Sequence, residues 1–123
     1  MPARDLYHDA VKSALIKDNW AIAADPYLIQ CEDIDLAADI ADARPIASER
    51  DGQKIVVEIE CFVGRSLMTD FHQAVGRYKL YQMLLEKPAP EYELYLAIDD
   101  IICENFFRRE AIDFLVRSSQ IKF

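Results

Sequence analysis

The stretch Ile55–Phe62, IVVEIECF, decides how this chain is read. Its β-branched and apolar residues describe a buried strand, yet two acids stand inside it, Glu58 and Glu60, one residue apart. Side chains alternate across a strand, so both carboxylates project from the same face. A carboxylate withdrawn from water needs a partner, a metal or a proton, because desolvating its charge is costly. Two readings compete: a solvated edge strand, or a central strand that carries chemistry. The apolar IVV before the acids and CF after them favour the central strand.

Immediately upstream, Asp51-Gly52 is the strongest hairpin signal in the chain. It joins a strand in RPIASER (44–50) to a partner running from Gln53 to Cys61. Downstream, Ser66 is placed to cap a long helix from Leu67 to Glu86, which stops before Lys87-Pro88. Leu67, Phe71, Val75, Tyr78 and Leu85 recur along it at helical spacing. Gly76 costs that helix about 1 kcal/mol relative to alanine, and the sequence predicts that it lets the helix approach the sheet closely. YELYLAID (92–99) alternates as a further strand, one or two short helices fill 101–116, and QIKF (120–123) reads as a last strand.

Toward the amino terminus, residues 4–18 place Leu6, Ala10 and Ala14 on one helical stripe with Val11 and Leu15 at its flank, and Asn19 ends the helix. WAIAADPYLI continues as extended chain, broken at Asp25-Pro26. DIDLAADIAD (33–42) is compatible with strand or turn. The order of elements predicts one α/β domain over residues 1–123, a mixed β-sheet flanked by helices, with the long helix crossing between neighbouring strands.

A chain of 123 residues is long enough to bury a real core. With 52% hydrophobic and 29% charged residues it suits a folded, water-soluble protein. The net charge of −8 opposes unaided binding to nucleic acid, whose phosphates would be repelled over most of the surface. Cys31, Cys61 and Cys103 have no zinc-ligand spacing, so reduced thiols and a cytoplasmic location are expected. MPARDLYHDA contains no apolar core of a signal peptide, and no run approaches the ~18 residues that span a bilayer, so no membrane role is expected.

An aspartate ahead of a hairpin and an acid on the following central strand form a recurring arrangement for Mg²⁺ or Mn²⁺, which prefer oxygen ligands. Here those residues are Asp39 and Glu58. A lysine two residues after the acid would complete such a centre by orienting or deprotonating the attacking water. That place holds Glu60. The acidic run Glu32–Asp42 contains other carboxylates, but only Asp39 is assigned to a site. His8, beside Asp9, reads either as a surface or capping residue or as part of the cleft.

The blocks MPARDLYHDAVKSALIKDNW and QKIVVEIECFVG resemble the XisH family, the cyanobacterial fdxN-element excision controlling factors, and the resemblance extends along the whole chain. It implies a restriction-endonuclease-like core of the PD-(D/E)XK type, with a metal-binding aspartate at Asp39 and the acid of the acid–x–lysine pair at Glu58. Two departures stand out. The family's VEIKSF is VEIECF here, so Glu60 replaces the lysine. In the long helix a glutamine four residues before a tyrosine becomes Arg77, while Tyr81 is kept. A cation lost from the strand and one gained on the helix predict that Glu60 and Arg77 pair across a vestigial cleft formed by Asp39, Glu58, Glu60, Arg77 and Tyr81.

The resemblance further implies a role in DNA rearrangement with a companion factor of the XisI type. The sequence predicts a weakly catalytic or non-catalytic regulator, a homo-oligomer or an XisI-like complex, touching DNA only through the assembly. The alternative is an active metal-dependent endonuclease whose lysine is supplied from elsewhere, with Lys54 and Lys79 as candidates. Phe106, Phe107 and Phe114 cluster late in the chain with Arg108 and Arg109 between them, and any exposed part of that cluster would form an apolar centre with charged neighbours, suited to a protein–protein contact.

Overall fold

The computed structural model describes residues 3–35, 44–62 and 66–123, with the side chains of the first helix described from Leu6 onward. Helix α1 (Ala3–Lys17) leads into strand β1 (Ala21–Ala24), a short ribbon of β2 (Gln30–Cys31) and β3 (Ile34–Asp35), and then the hairpin of β4 (Ile46–Arg50) and β5 (Gln53–Ile59). Helix α2 (Leu67–Glu86) follows, then β6 (Glu93–Ala97), α3 (Asp100–Asn105) and α4 (Glu110–Ser118). The main sheet has the order β1-β4-β5-β6. Its first three strands are antiparallel, and β6 lies parallel to β5 across the α2 crossover. This is the mixed α/β arrangement that the sequence predicts, with β5 central. No described helix is long and apolar enough to cross a membrane.

Local chemistry sets the key junctions. Asp51 and Gly52 both take positive φ, 52° and 82°, the conformation a two-residue primed turn requires. Register follows, with Arg50 opposite Gln53 and Ala47 opposite Val56. The Ser66 hydroxyl accepts from the Thr69 amide at 3.2 Å, capping α2 at the expected residue.

Strand parity then divides β5 between two packing faces. Val56 joins Ala47, Leu94 and Leu96 beneath the inward row of α2, Phe71, Ala74, Tyr78, Tyr81 and Leu85. Ile55 and Val57 face α1 and Trp20, with Val11, Leu15, Tyr95 and Ala97 alongside. Tyr78 fastens the first layer: its hydroxyl donates to the Leu94 carbonyl at 2.9 Å and accepts from the Lys122 amide at 3.2 Å.

Several expectations are corrected. On α1 it is Val11 and Leu15 that face the sheet, while Leu6 is 58% exposed and Ala10 and Ala14 also face water. Two alanines offer little area to bury, so the branched pair wins the interface. QIKF is not a strand; it runs beside β6 with one ladder-like bond, from the Leu96 amide to the Lys122 carbonyl at 2.8 Å. Strand β5 ends at Ile59 rather than Cys61, although the Glu60 amide still donates to the Ala97 carbonyl at 3.1 Å. Gly76 faces outward and makes no close approach to the sheet. Of the late aromatic cluster, Phe106 and Phe107 are core residues, ringed by Phe62 and Phe71, and Phe114 is the exposed part.

Candidate functional site

Glu58 and Glu60 follow Val56 on the α2 face of β5, as the period of two dictates. Both are buried, at 3% and 8% exposure, so the solvated edge-strand reading fails. Glu58 lies opposite Leu96 in the parallel register, deep in the sheet. Glu60 sits one step beyond the strand end. Its carboxylate Oε1 is 3.6 Å from Nη1 of Arg77 on α2. The predicted pairing of these two residues is therefore present in the fold.

That pair is loose. At 3.6 Å it is an ion pair beyond hydrogen-bond reach, and the buried Glu60 Oε1 accepts no hydrogen bond among the described residues. Arg77 is 25% exposed, so water shares in neutralising its charge. One turn along the helix, Tyr81 is buried to 1% within the apolar core. Asp39 lies outside the described residues, and the structure does not bear on its assignment.

Around the carboxyl ends of β5 and β6 the fold gathers groups that the sequence reading passed over. Tyr7 of α1 donates a long hydrogen bond, 3.4 Å, to Asp99 just after β6. Burial, followed by the charge of Asp99 and the proximity of Cys61, pushes the Tyr7 phenol above its ordinary pKa. Asp99 also caps α3, accepting from the Ile101 amide at 2.8 Å. The only sequence signal was positional, since ligand sites of α/β sheets favour the carboxyl ends of parallel strands.

His8 is neither a cap nor free. Its Nε2 lies 2.8 Å from Asp25, and Lys12, one turn later on α1, lies 2.8 Å from the other oxygen of the same carboxylate. Burial opposes the Asp25 charge, but the hydrogen bonds from Lys12 and His8 outweigh it and hold the carboxyl below its usual range.

The two candidates for a displaced lysine are elsewhere. Lys54 is the second residue of β5, four residues before Glu58, or roughly 13 Å along a strand. It pairs with Glu49 at 3.7 Å. Lys79 reaches Gln82 at 3.4 Å, and its position two residues after Arg77 turns it to a different side of the helix. Among the described residues no three His, Cys, Asp or Glu side chains converge as a metal-ligand set. The described cleft thus offers two buried carboxylates and one cation already facing Glu60.

The family model described as XisH protein matches residues 1–123. The chain is also similar to the crystal structure of an XisH family protein from Nostoc punctiforme PCC 73102, at 34% identity and a TM-score of 0.84, over 94% of this chain and 85% of that one. A second similar crystal structure is that of an fdxN element excision controlling factor protein from Anabaena variabilis, at 35% identity and a TM-score of 0.85, over 95% and 86% of the two chains. Among curated proteins there is no match.

Proposed function

This chain belongs to the XisH family, and from that premise we propose that it is a controlling factor for site-specific excision of a DNA element. In this reading a nuclease-like core of the PD-(D/E)XK type has lost its catalytic centre. The helix, three antiparallel strands, crossover helix and parallel strand suit such a core. Glu58 and Asp39 are the remnants of its metal-binding acids. The described residues do not assemble a metal centre, so no chemical step is assigned to Mg²⁺ or Mn²⁺.

One observation carries the regulator reading. Glu60 occupies the lysine's place, buried, and among the described residues the cation paired with it is Arg77, facing it from α2 at 3.6 Å. A lysine there would lower the pKa of an attacking water and offset charge on the transition state; a carboxylate does the opposite. With a net charge of −8 the protein engages DNA through an assembly with an XisI-like protein, which supplies the missing positive surface. Purified protein with Mg²⁺ or Mn²⁺ is expected to leave plasmid, single-stranded and branched DNA intact. Reproducible cleavage abolished by Glu58→Ala would overturn this reading in favour of an active endonuclease.

A further inference from the structure

We infer that Arg77 fills the cation place of this cleft with its own guanidinium and closes it to divalent metal. Removing that charge should open Glu58 and Glu60 to Mg²⁺ or Mn²⁺. The starting point is the pair of acids. Glu58 and Glu60 stand two residues apart on one face, at 3% and 8% exposure. Neighbouring carboxylates resist holding two charges out of water, and a nearby cation relieves them. A hard dication could do so, since Mg²⁺ keeps several waters and needs only one or two protein carboxylates. Here the chain supplies a cation itself.

The form of the contact separates neutralisation from bracing. An arginine that braces two elements engages a carboxylate through a fork of two short hydrogen bonds. Arg77 instead stands 3.6 Å from Oε1 of Glu60, and that buried oxygen accepts no hydrogen bond among the described residues. The guanidinium offsets the charge without gripping the group that carries it.

The same placement keeps a metal out. An ion held on Oε1 at about 2.1 Å would lie within roughly 6 Å of Nη1, because the two distances cannot sum to more. At that range two cations repel strongly in a desolvated cleft. A lysine could shed its proton to relieve the repulsion, whereas a guanidinium stays charged. Arg77 is only 25% exposed, so swinging clear would cost it packing as well as its partner.

The inference concerns the cleft of the excision reading without resting on that reading, and its test uses no DNA. Mn²⁺ is titrated into the full chain and followed by its EPR signal and by the melting temperature. The parent should bind no Mn²⁺ that depends on Glu58. Arg77→Gln should bind one ion with a dissociation constant on the order of 1 mM, and should melt about 5 °C higher at tenfold that concentration. Arg77→Ala removes the same charge and should behave alike, so either variant decides the matter if the other fails to fold. Adding Glu58→Ala or Glu60→Ala to the folded variant should abolish the binding. Mn²⁺ on the parent that Glu58→Ala removes would overturn the inference and leave the regulator reading standing, since that reading is decided by DNA cleavage. Folded Arg77 variants that take up no more Mn²⁺ than the parent would overturn it equally.

Discussion

On the α2 face of the sheet, Val56, Leu94 and Leu96 lie under a closed layer of Phe71, Tyr78, Tyr81, Phe106 and Phe107. On the α1 face, Trp20, Ile55 and Val57 line an open groove of about 640 Å³ that reaches Tyr95 and Phe123. The acids divide the other way. Asp25, held by α1, receives two close partners, Lys12 and His8, each at 2.8 Å. Glu60, on the sealed face, has one at 3.6 Å. A carboxylate placed for stability is expected where its partners are tight, as at Asp25. Glu60 sits where desolvation is severe and compensation is poor, so its position is not explained by holding the fold together. That contrast is the physical case for a site on β5.

The largest effect should come from the packing difference itself. Phe106→Ala empties a fully enclosed aromatic cluster and should cost about 3–5 kcal/mol in urea denaturation. Trp20→Ala enlarges an existing groove, with Arg50 stacked 4.3 Å over the ring, and should fall at or below the lower end of that range. Equal costs would break the comparison between the faces.

Next comes the Glu60–Arg77 pair. Arg77→Ala removes the one cation that the described residues place beside the buried Glu60 carboxylate, and the loss should lie toward the lower end of roughly 3–5 kcal/mol because water reaches the arginine. Glu60→Gln should cost less than about 1 kcal/mol, since the remaining arginine is partly solvated. The asymmetry is the signature of a desolvated charge in a loose pair. If both variants cost the same, the pair acts as an ordinary structural bridge.

Asp25 gives the tight-pair counterpart. Its folded-state pKa is lowered, so the unfolded chain binds this proton more readily. Its contribution is present above the ordinary carboxyl pKa and is lost as pH falls through the still lower folded value. Asp25→Asn should cost about 1–2 kcal/mol at neutral pH and should flatten part of the acid limb of the stability profile. An unchanged acid limb would show that His8 and Lys12 do little for α1 docking.

What the sequence made legible follows the range of each interaction. The Asp51-Gly52 turn and the Ser66 cap depend on neighbours, and their residues announce them. The Glu60–Arg77 pairing was legible for another reason, two compensating departures from one family pattern. The Asp25 clamp was invisible because its three members are joined only when α1 lies against the end of β1. The α1 stripe was misjudged because Leu6-Ala10-Ala14 and Val11-Leu15 have the same helical period, and only the partner surface separates them. Which of Phe106, Phe107 and Phe114 is exposed was not legible, because the adjacent Arg108 and Arg109 suit a surface as well as a core segment's edge; both arginines are exposed while the rings of Phe106 and Phe107 are not.

The smallest expected effect concerns Lys54, which shares the α2 side of β5 with Glu58 and Glu60 by strand parity. Its charge is spent on Glu49 across the hairpin at 3.7 Å, with both side chains more than 40% exposed. Exposed pairs of this kind contribute about 0–0.5 kcal/mol, because water and salt already solvate both partners. Lys54→Ala should therefore leave the urea midpoint nearly unchanged. It should also leave every property of the cleft unchanged, since roughly 13 Å of strand separates it from Glu58 and a lysine side chain cannot bridge that span. If Lys54→Ala abolished a metal-dependent cleavage activity, the hairpin end and the strand end of β5 would belong to one site, and the distinction between tight structural charges and a loose vestigial one would have to be redrawn.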